Sequence, residues 1–191
     1  MTGKFLKFIF PAVLVLFISA ATDAAELDGI AMPETMEMSG IHLMLNGLAQ
    51  RTYSFLRIHI YVAGLYLQHR SSDADAILDS SQTKLLHFVF TRDIDAEAAR
   101  RSWRDSLVSN CRPPCSLRAE NVRRFLDAIP SMRKGETSTF FFGPEGLEVF
   151  MNGKLVGRIP DRAFVRVILA TFIGSHPTSD EVKRGLLRET H

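Results

Sequence analysis

The run Phe55–Leu67 (FLRIHIYVAGLYL) constrains this chain more than any other segment. Apolar Leu56, Ile58, Ile60 and Val62 alternate with Arg57, His59 and Tyr61. That is the two-residue period of a β-strand, whose successive side chains point to opposite faces. The even face is expected to pack into a core. The odd face gathers Arg57, His59 and Tyr61 beside apolar Phe55, Ala63 and Leu65, and Arg51 stands just ahead of it. A face of that composition either meets solvent or lines an amphiphilic cleft, and the choice between the two governs what the chain does.

The first residues read as an export signal rather than as structure. Lys4 and Lys7 precede the apolar run Phe8–Ile18, interrupted only by Pro11, and small residues follow at Ser19, Ala20 and Ala21. This is the pattern of a secretory signal peptide (residues 1–24) cleaved near Ala24, with an apolar stretch shorter than the ~20 residues of a membrane-spanning helix. The expected mature chain, residues 25–191, suits a single domain with a real core, located in the periplasm or secreted. The formal net charge is +2, from 23 Lys and Arg against 21 Asp and Glu. That balance gives no support for nucleic acid as a partner. Cys111 and Cys115 lie in the segment NCRPPC. In an oxidising compartment a disulfide is expected. The spacing is not the C-x-x-C redox pattern, and no His cluster accompanies it to suggest zinc.

Periodicity predicts the remaining elements. Short strands are expected over Glu34–Ser39 and His42–Leu45, followed by a tight turn at Asn46-Gly47. A short helix over Asp73–Leu78 precedes a strand, Lys84–Arg92, that is apolar on both faces. Asp95–Asn110 carries Ala99, Trp103 and Leu107 at helical spacing, with Arg100, Arg101 and Arg104 elsewhere on its surface. Ser116 is placed to cap a helix running to about Ile129. Three strands follow, Thr137–Phe142, Leu147–Met151 and Leu155–Ile159, joined by glycine-rich turns. Pro160 and Asp161 open a nearly all-apolar helix that stops at Gly174, and Ser179–Arg188 forms the last helix. The order of elements predicts an α+β fold, an antiparallel sheet with helices packed mainly on one face.

Catalytic signatures are scarce. No G-x-S-x-G elbow, glycine-rich phosphate loop or H-E-x-x-H occurs, and the six histidines lack metal-ligand spacing. No metal and no cofactor are expected. His87, in a two-sided apolar strand, reads as a satisfied core residue. Arg51, Arg57, His59 and Tyr61 together suit an anion receptor, because a guanidinium grips a carboxylate through paired hydrogen bonds and a phenol adds a further donor. The same group also suits stabilisation of a phenolate or enolate in a reaction, or a sheet face wetted by solvent.

Several of these residues carry a resemblance. Asn46-Gly47, Arg51-Thr52 and the run Tyr61–Leu67 (YVAGLYL) resemble the first core motif of the chalcone isomerase-like family. Ile159-Pro160-Asp161, with Phe164, Thr171 and Gly174, resembles its C-terminal segment. The resemblance implies an open-faced β-sandwich with helices on the large sheet. Plant members of that family cyclise chalcones to flavanones with an Arg, a Thr, a Tyr and a Lys on one helix, an Asn one turn on, and a late Ser or Thr. By position the Arg falls on Arg51, the Thr on Tyr61 and the late Thr on Thr171. Through Trp103, the helix residues fall near Ala98, Arg101 and Asp105. The helix phenol is therefore missing and the Asn is changed. An Arg paired with a Tyr resembles the fatty-acid-binding branch of the family, where the pair holds the carboxylate of an acyl chain.

The favoured expectation is a non-catalytic binder of a fatty-acid-like ligand, with Arg51, Tyr61, His59, Arg57, Thr171 and Arg101 as site residues. The alternatives are an isomerase of the intramolecular lyase type, with Tyr61 or His59 moving a proton beside Arg51, and a structural or partner-binding envelope protein.

Overall fold

The computed structural model describes residues 24–53 and 57–188. The expected signal peptide, apart from Ala24, lies outside the described residues, as do Phe55 and Leu56 at the head of the alternating run. The strands are β1 (Ala24–Leu27), β2 (Ile30–Pro33), β3 (Thr35–Met38), β4 (Ile41–Tyr53), β5 (Ile58–Leu67), β6 (Lys84–Phe90), β7 (Thr137–Gly143), β8 (Gly146–Met151) and β9 (Lys154–Ile159). The helices are α1 (Ala74–Asp79), α2 (Ala96–Asn110), α3 (Ala119–Asp127), α4 (Arg162–Ile173) and α5 (Asp180–Leu187). Strands β3 to β9 form one antiparallel sheet in sequence order. Helix α1 is inserted between β5 and β6, and α2 and α3 between β6 and β7.

The helices cover one face. Ala63, Leu65 and Leu67 of β5, Leu86 and Phe88 of β6 and Phe140 and Phe142 of β7 pack there against Phe125 of α3 and the buried residues of α4 and α5. Aromatic edges tie the layers, with Trp103 of α2 meeting Phe125 at 4.9 Å between ring centroids and an interplanar angle of 89°. The opposite face is covered by the β1–β2 hairpin, which the alternation pattern did not suggest. Leu43, Leu45, Tyr66, Leu85 and Phe141 cluster beneath it, and the Tyr66 hydroxyl donates to the Pro33 carbonyl at 3.0 Å. This open-faced sandwich matches the expected α+β class. It changes the expectation for β5, which is buried on both faces from Val62 to Leu67.

Asn46-Gly47 is not a turn. Both residues lie inside β4, where the pairing with β5 slips by one between Leu45 and Gly47. The reason is α5, which crosses the sheet at this point. Asn46 Nδ2 donates to the Leu186 carbonyl at 2.8 Å, and its Oδ1 accepts from the Ser71 N–H at 2.8 Å. A β-carbon on Gly47 would stand 2.3 Å from the Gly185 oxygen, and one on Gly185 would stand 2.5 Å from the Leu48 oxygen. Two glycines facing each other let helix and strand backbones touch.

Ser116 does not cap α3. The cap position is Arg118, which makes no side-chain cap bond. Its guanidinium reaches instead to Asp161 Oδ2 at 2.7 Å, which also accepts from Asn121 Nδ2 at 2.7 Å. Asp161 Oδ1 caps α4 through the Ala163 and Phe164 N–H groups, at 3.0 and 3.2 Å. Desolvation works to raise the Asp161 carboxyl, but the bonds from Arg118, Phe164 N–H and Asn121 outweigh it and hold the group below its ordinary range. Cys111 and Cys115 are joined, with their Cα atoms 5.1 Å apart, and tie down the connection from α2 to α3.

Replacing Gly47 with alanine is expected to lower stability by about 1–3 kcal/mol, the usual cost of an overpacked contact. A fall in the urea midpoint at unchanged slope is the measurement, and a midpoint equal to wild type would show that α5 does not sit against β4.

Candidate ligand-binding site

The bulge in β5 decides which side chains share a face. Arg51 of β4 pairs with Tyr61, but its neighbour Thr52 pairs with His59, so Ile60 has no partner. An unpaired residue breaks the strict alternation of a strand. Ile60 and Tyr61 therefore both face the helices, and His59 is turned to the other side. There His59 Nδ1 lies 2.7 Å from Asp28 Oδ2 and 2.9 Å from Gln50 Nε2, against the turn of the β1–β2 hairpin. The expectation that His59 joins Arg51 and Tyr61 is corrected by this register shift.

Arg57, Arg101 and Thr171 also stand apart. Arg57 is an exposed turn residue with its guanidinium 3.6 Å from Glu181. Arg101 is exposed and bonded to Glu97 at 2.7 Å, one helical turn earlier. Thr171 is fully buried, and its hydroxyl donates back to the Ile168 carbonyl at 2.7 Å, as helical threonines commonly do. The helix-side hydroxyl near the site is Thr178, in the loop before α5, whose N–H bonds the Thr171 carbonyl at 2.8 Å. Thr178 belongs to a Pro-Thr-Ser loop and shows no periodicity, so pattern reading had no means to select it.

Arg51 and Tyr61 line a cavity of about 320 Å³ between the sheet and α2. Its floor is aromatic and apolar, made by Phe88, Phe140, Met151 and Phe172. Ala98, Ala99, Ser102, Trp103 and Ser106 of α2 form one wall, and Ile94, Ile129, Pro130 and Met132 another. Exposed Tyr53, Ala98, Ser102 and Pro130 mark the opening. Ala98 is the position that the resemblance assigned to the catalytic phenol, and its small side chain widens the cavity beside α2. Ser138 lines the cavity as well, and its Oγ is buried without a hydrogen-bond partner, as is Thr178 Oγ1.

The lining of this hollow includes a cation, Arg51, and a neutral phenol, Tyr61. Burial raises the Tyr61 hydroxyl to about 12, against smaller opposing effects from the Arg51 charge and the nearby Thr178 hydroxyl. Thr178 acts there by proximity rather than through a formed bond, since its Oγ1 has no partner within hydrogen-bond geometry. Tyr61 is half-buried along the cavity, and its ring meets Phe88 edge-on at 5.2 Å. Among the described residues no carboxylate lies within 4.0 Å of Arg51. The cross-strand pair Arg51 and Tyr61 thus sets a cation and a protonated phenol in the lining of a mostly apolar chamber, the arrangement that suits an amphiphilic anion.

Fold and site together define an open-faced β-sandwich with an amphiphilic cavity under its helices. The sequence model described as chalcone isomerase-like matches residues 24–188, and the chain belongs to that family. Among solved structures it resembles a fatty-acid binding protein of Arabidopsis thaliana, AtFAP1, with a TM-score of 0.73 and 16% sequence identity, over 86% of this chain and 96% of that one. No curated protein matches the chain.

The raised Tyr61 phenol is open to direct measurement. A tyrosine that ionises near 12 when folded and near 10 when unfolded adds no pH dependence below about pH 10, and stability falls as pH climbs from there towards 12. Tyr61→Phe is therefore expected to leave the tyrosinate absorbance of the folded protein unchanged below about pH 11. Loss of amplitude near pH 10 in that variant would show the phenol to be solvated.

Proposed function

We propose that this protein is a non-catalytic carrier or receptor for a fatty-acid-like carboxylate, acting outside the cytoplasm after export. The observation that carries this reading is the cross-strand pair Arg51 and Tyr61 in the lining of a mostly apolar cavity. A carboxylate headgroup accepts hydrogen bonds from the guanidinium and the phenol, and the hydrocarbon tail lies over Phe88, Phe140 and Phe172. Burial of the tail contributes about 0.8 kcal/mol per methylene, and a charge-assisted hydrogen bond about 1.5–3 kcal/mol. The tail thus sets affinity and the donor pair sets selectivity for an acid over the matching alcohol. The likeness to AtFAP1, whose name describes a fatty-acid binding protein, supports the same reading.

The isomerase reading has less support. The phenol of Tyr61 holds its proton too firmly to serve as a base near neutrality. His59, the other candidate for moving a proton, faces away from the cavity against Asp28.

Titration of delipidated protein with laurate tests the proposal. Arg51→Ala is expected to weaken binding tenfold to a hundredfold, as the loss of about 1.5–3 kcal/mol implies, and Tyr61→Phe by a smaller factor, about threefold to tenfold. Equal laurate affinity in wild type and Arg51→Ala would remove the proposal.

A further inference from the structure

The cavity opens at the end of the sheet where β4 and β6 finish and β5, β7 and β9 begin, and exposed cations surround that opening. Arg92 sits between Phe90 and Ile94, both cavity residues, and Arg133 and Lys134 directly follow Met132, another. Lys154 begins β9 at the same end, and Arg57 precedes β5. All five are exposed. Among the described residues only Arg57 has a carboxylate partner, the exposed Glu181.

The acidic groups nearby are tied to backbone N–H donors rather than to these cations. Asp93 Oδ1 accepts from the Lys134 N–H at 2.8 Å, Glu136 Oε2 from the Arg133 N–H at 2.7 Å, and Asp95 caps α2 through the Ala98 N–H at 3.0 Å. Tyr53, 64% exposed, stands at the opening with Pro130. A ring with one apolar body and one polar tip in such a place suits a lipid–water boundary. The opposite end of the sheet bears exposed Glu37, Asp75 and Glu145. That end also carries exposed Arg70, Arg162 and Arg188, so its charge is mixed, whereas the opening is marked by exposed cations around the cavity.

We infer that the open end of the cavity docks on an anionic lipid bilayer, with Arg92, Arg133, Lys134 and Lys154 against the headgroups and Tyr53 in the interface. Attraction of this kind grows with each cation brought to the surface and is screened by salt. The orientation puts Arg51 and Tyr61 next to the layer that holds free amphiphiles. Only the exchange of cargo rests on the proposed carboxylate binding; docking itself needs no ligand.

Flotation of the purified protein with vesicles decides it. One set is phosphatidylcholine alone and the other an equal mixture with phosphatidylglycerol. The wild type is expected to float with the anionic vesicles at low salt, to release at about 0.5 M salt, and to ignore the zwitterionic ones. The triple variant R92E/R133E/K134E should lose roughly a hundredfold in vesicle affinity or more. R104E/R112E/R123E carries the same charge change on α2, α3 and their connection, outside the cavity lining, and should lose far less. Circular dichroism checks folding, and R92Q/R133Q/K134Q, expected to show an intermediate loss, replaces the reversal variant if that one does not fold. Equal loss in the two triple variants, equal affinity for both vesicle types, or no anionic binding would overturn the inference, the last leaving an acidic protein as the partner of this surface. Laurate titration on the same preparations without vesicles separates the two ideas. Retained laurate affinity without vesicle binding rejects docking alone, and vesicle binding without laurate affinity rejects the carboxylate site alone.

Discussion

The pairing of Arg51 with Tyr61 across β4 and β5 is the contact on which the site depends. Both side chains belong to adjacent central strands, so their separation is fixed by the hydrogen-bonded ladder rather than by a flexible loop. Two rigid strands present a guanidinium and a phenol to the same volume without any rearrangement. Burial raises the phenol above its ordinary range, so it stays a hydrogen-bond donor well into alkaline pH. Geometry is supplied by the ladder and the apolar surroundings by the packed rings.

Cavity and core are made of the same residues. Trp103 meets Phe172 edge to face and Phe140 at a tilt within the helix-side core, and all three also form the surface of the hollow. Aromatic rings are stiff, with few rotatable bonds, so a wall built from them resists collapse where aliphatic chains would fold inward. The α2–α3 segment that closes the hollow is held at several points. Arg100 Nε donates to the Leu126 and Ile129 carbonyls at 3.0 Å each, Asp161 holds the start of α3, and the Cys111–Cys115 bond fixes the connection.

Most of the architecture was legible because its signals are local. The meander of β7, β8 and β9 follows from strand alternation and Asn152-Gly153, and α4 follows from its long apolar run behind the Asp161 cap. Arg51 and Tyr61 were legible as a pair because strand alternation held as far as Tyr61 and the resemblance pointed to the same two positions. Most of the failures share one cause: they depended on a distant segment. Asn46-Gly47 has turn composition, yet the arrival of α5 from about 140 residues away makes it a strand interior. His59 was misplaced because a bulge leaves no mark in the alternation of β5 alone and is defined only by β4. Thr171 has a satisfied local bond that no periodicity reveals, and Thr178 reaches the cavity only through the fold of its loop. The β1–β2 hairpin is short, and its role becomes visible only beside the Tyr66 face that it covers.

The unpaired Ile60 also bears on how such a scaffold changes its chemistry over generations. A strand interrupted by one extra residue returns to strict order when its partner gains a residue at the matching place. One inserted codon between Arg51 and Thr52 would pair off Ile60 and swing the imidazole of His59 from the hairpin side into the chamber. A proton carrier would then stand beside a guanidinium and a phenol. The distance between the present chamber and one equipped for acid–base work is, on this backbone, a single unit of length in one strand.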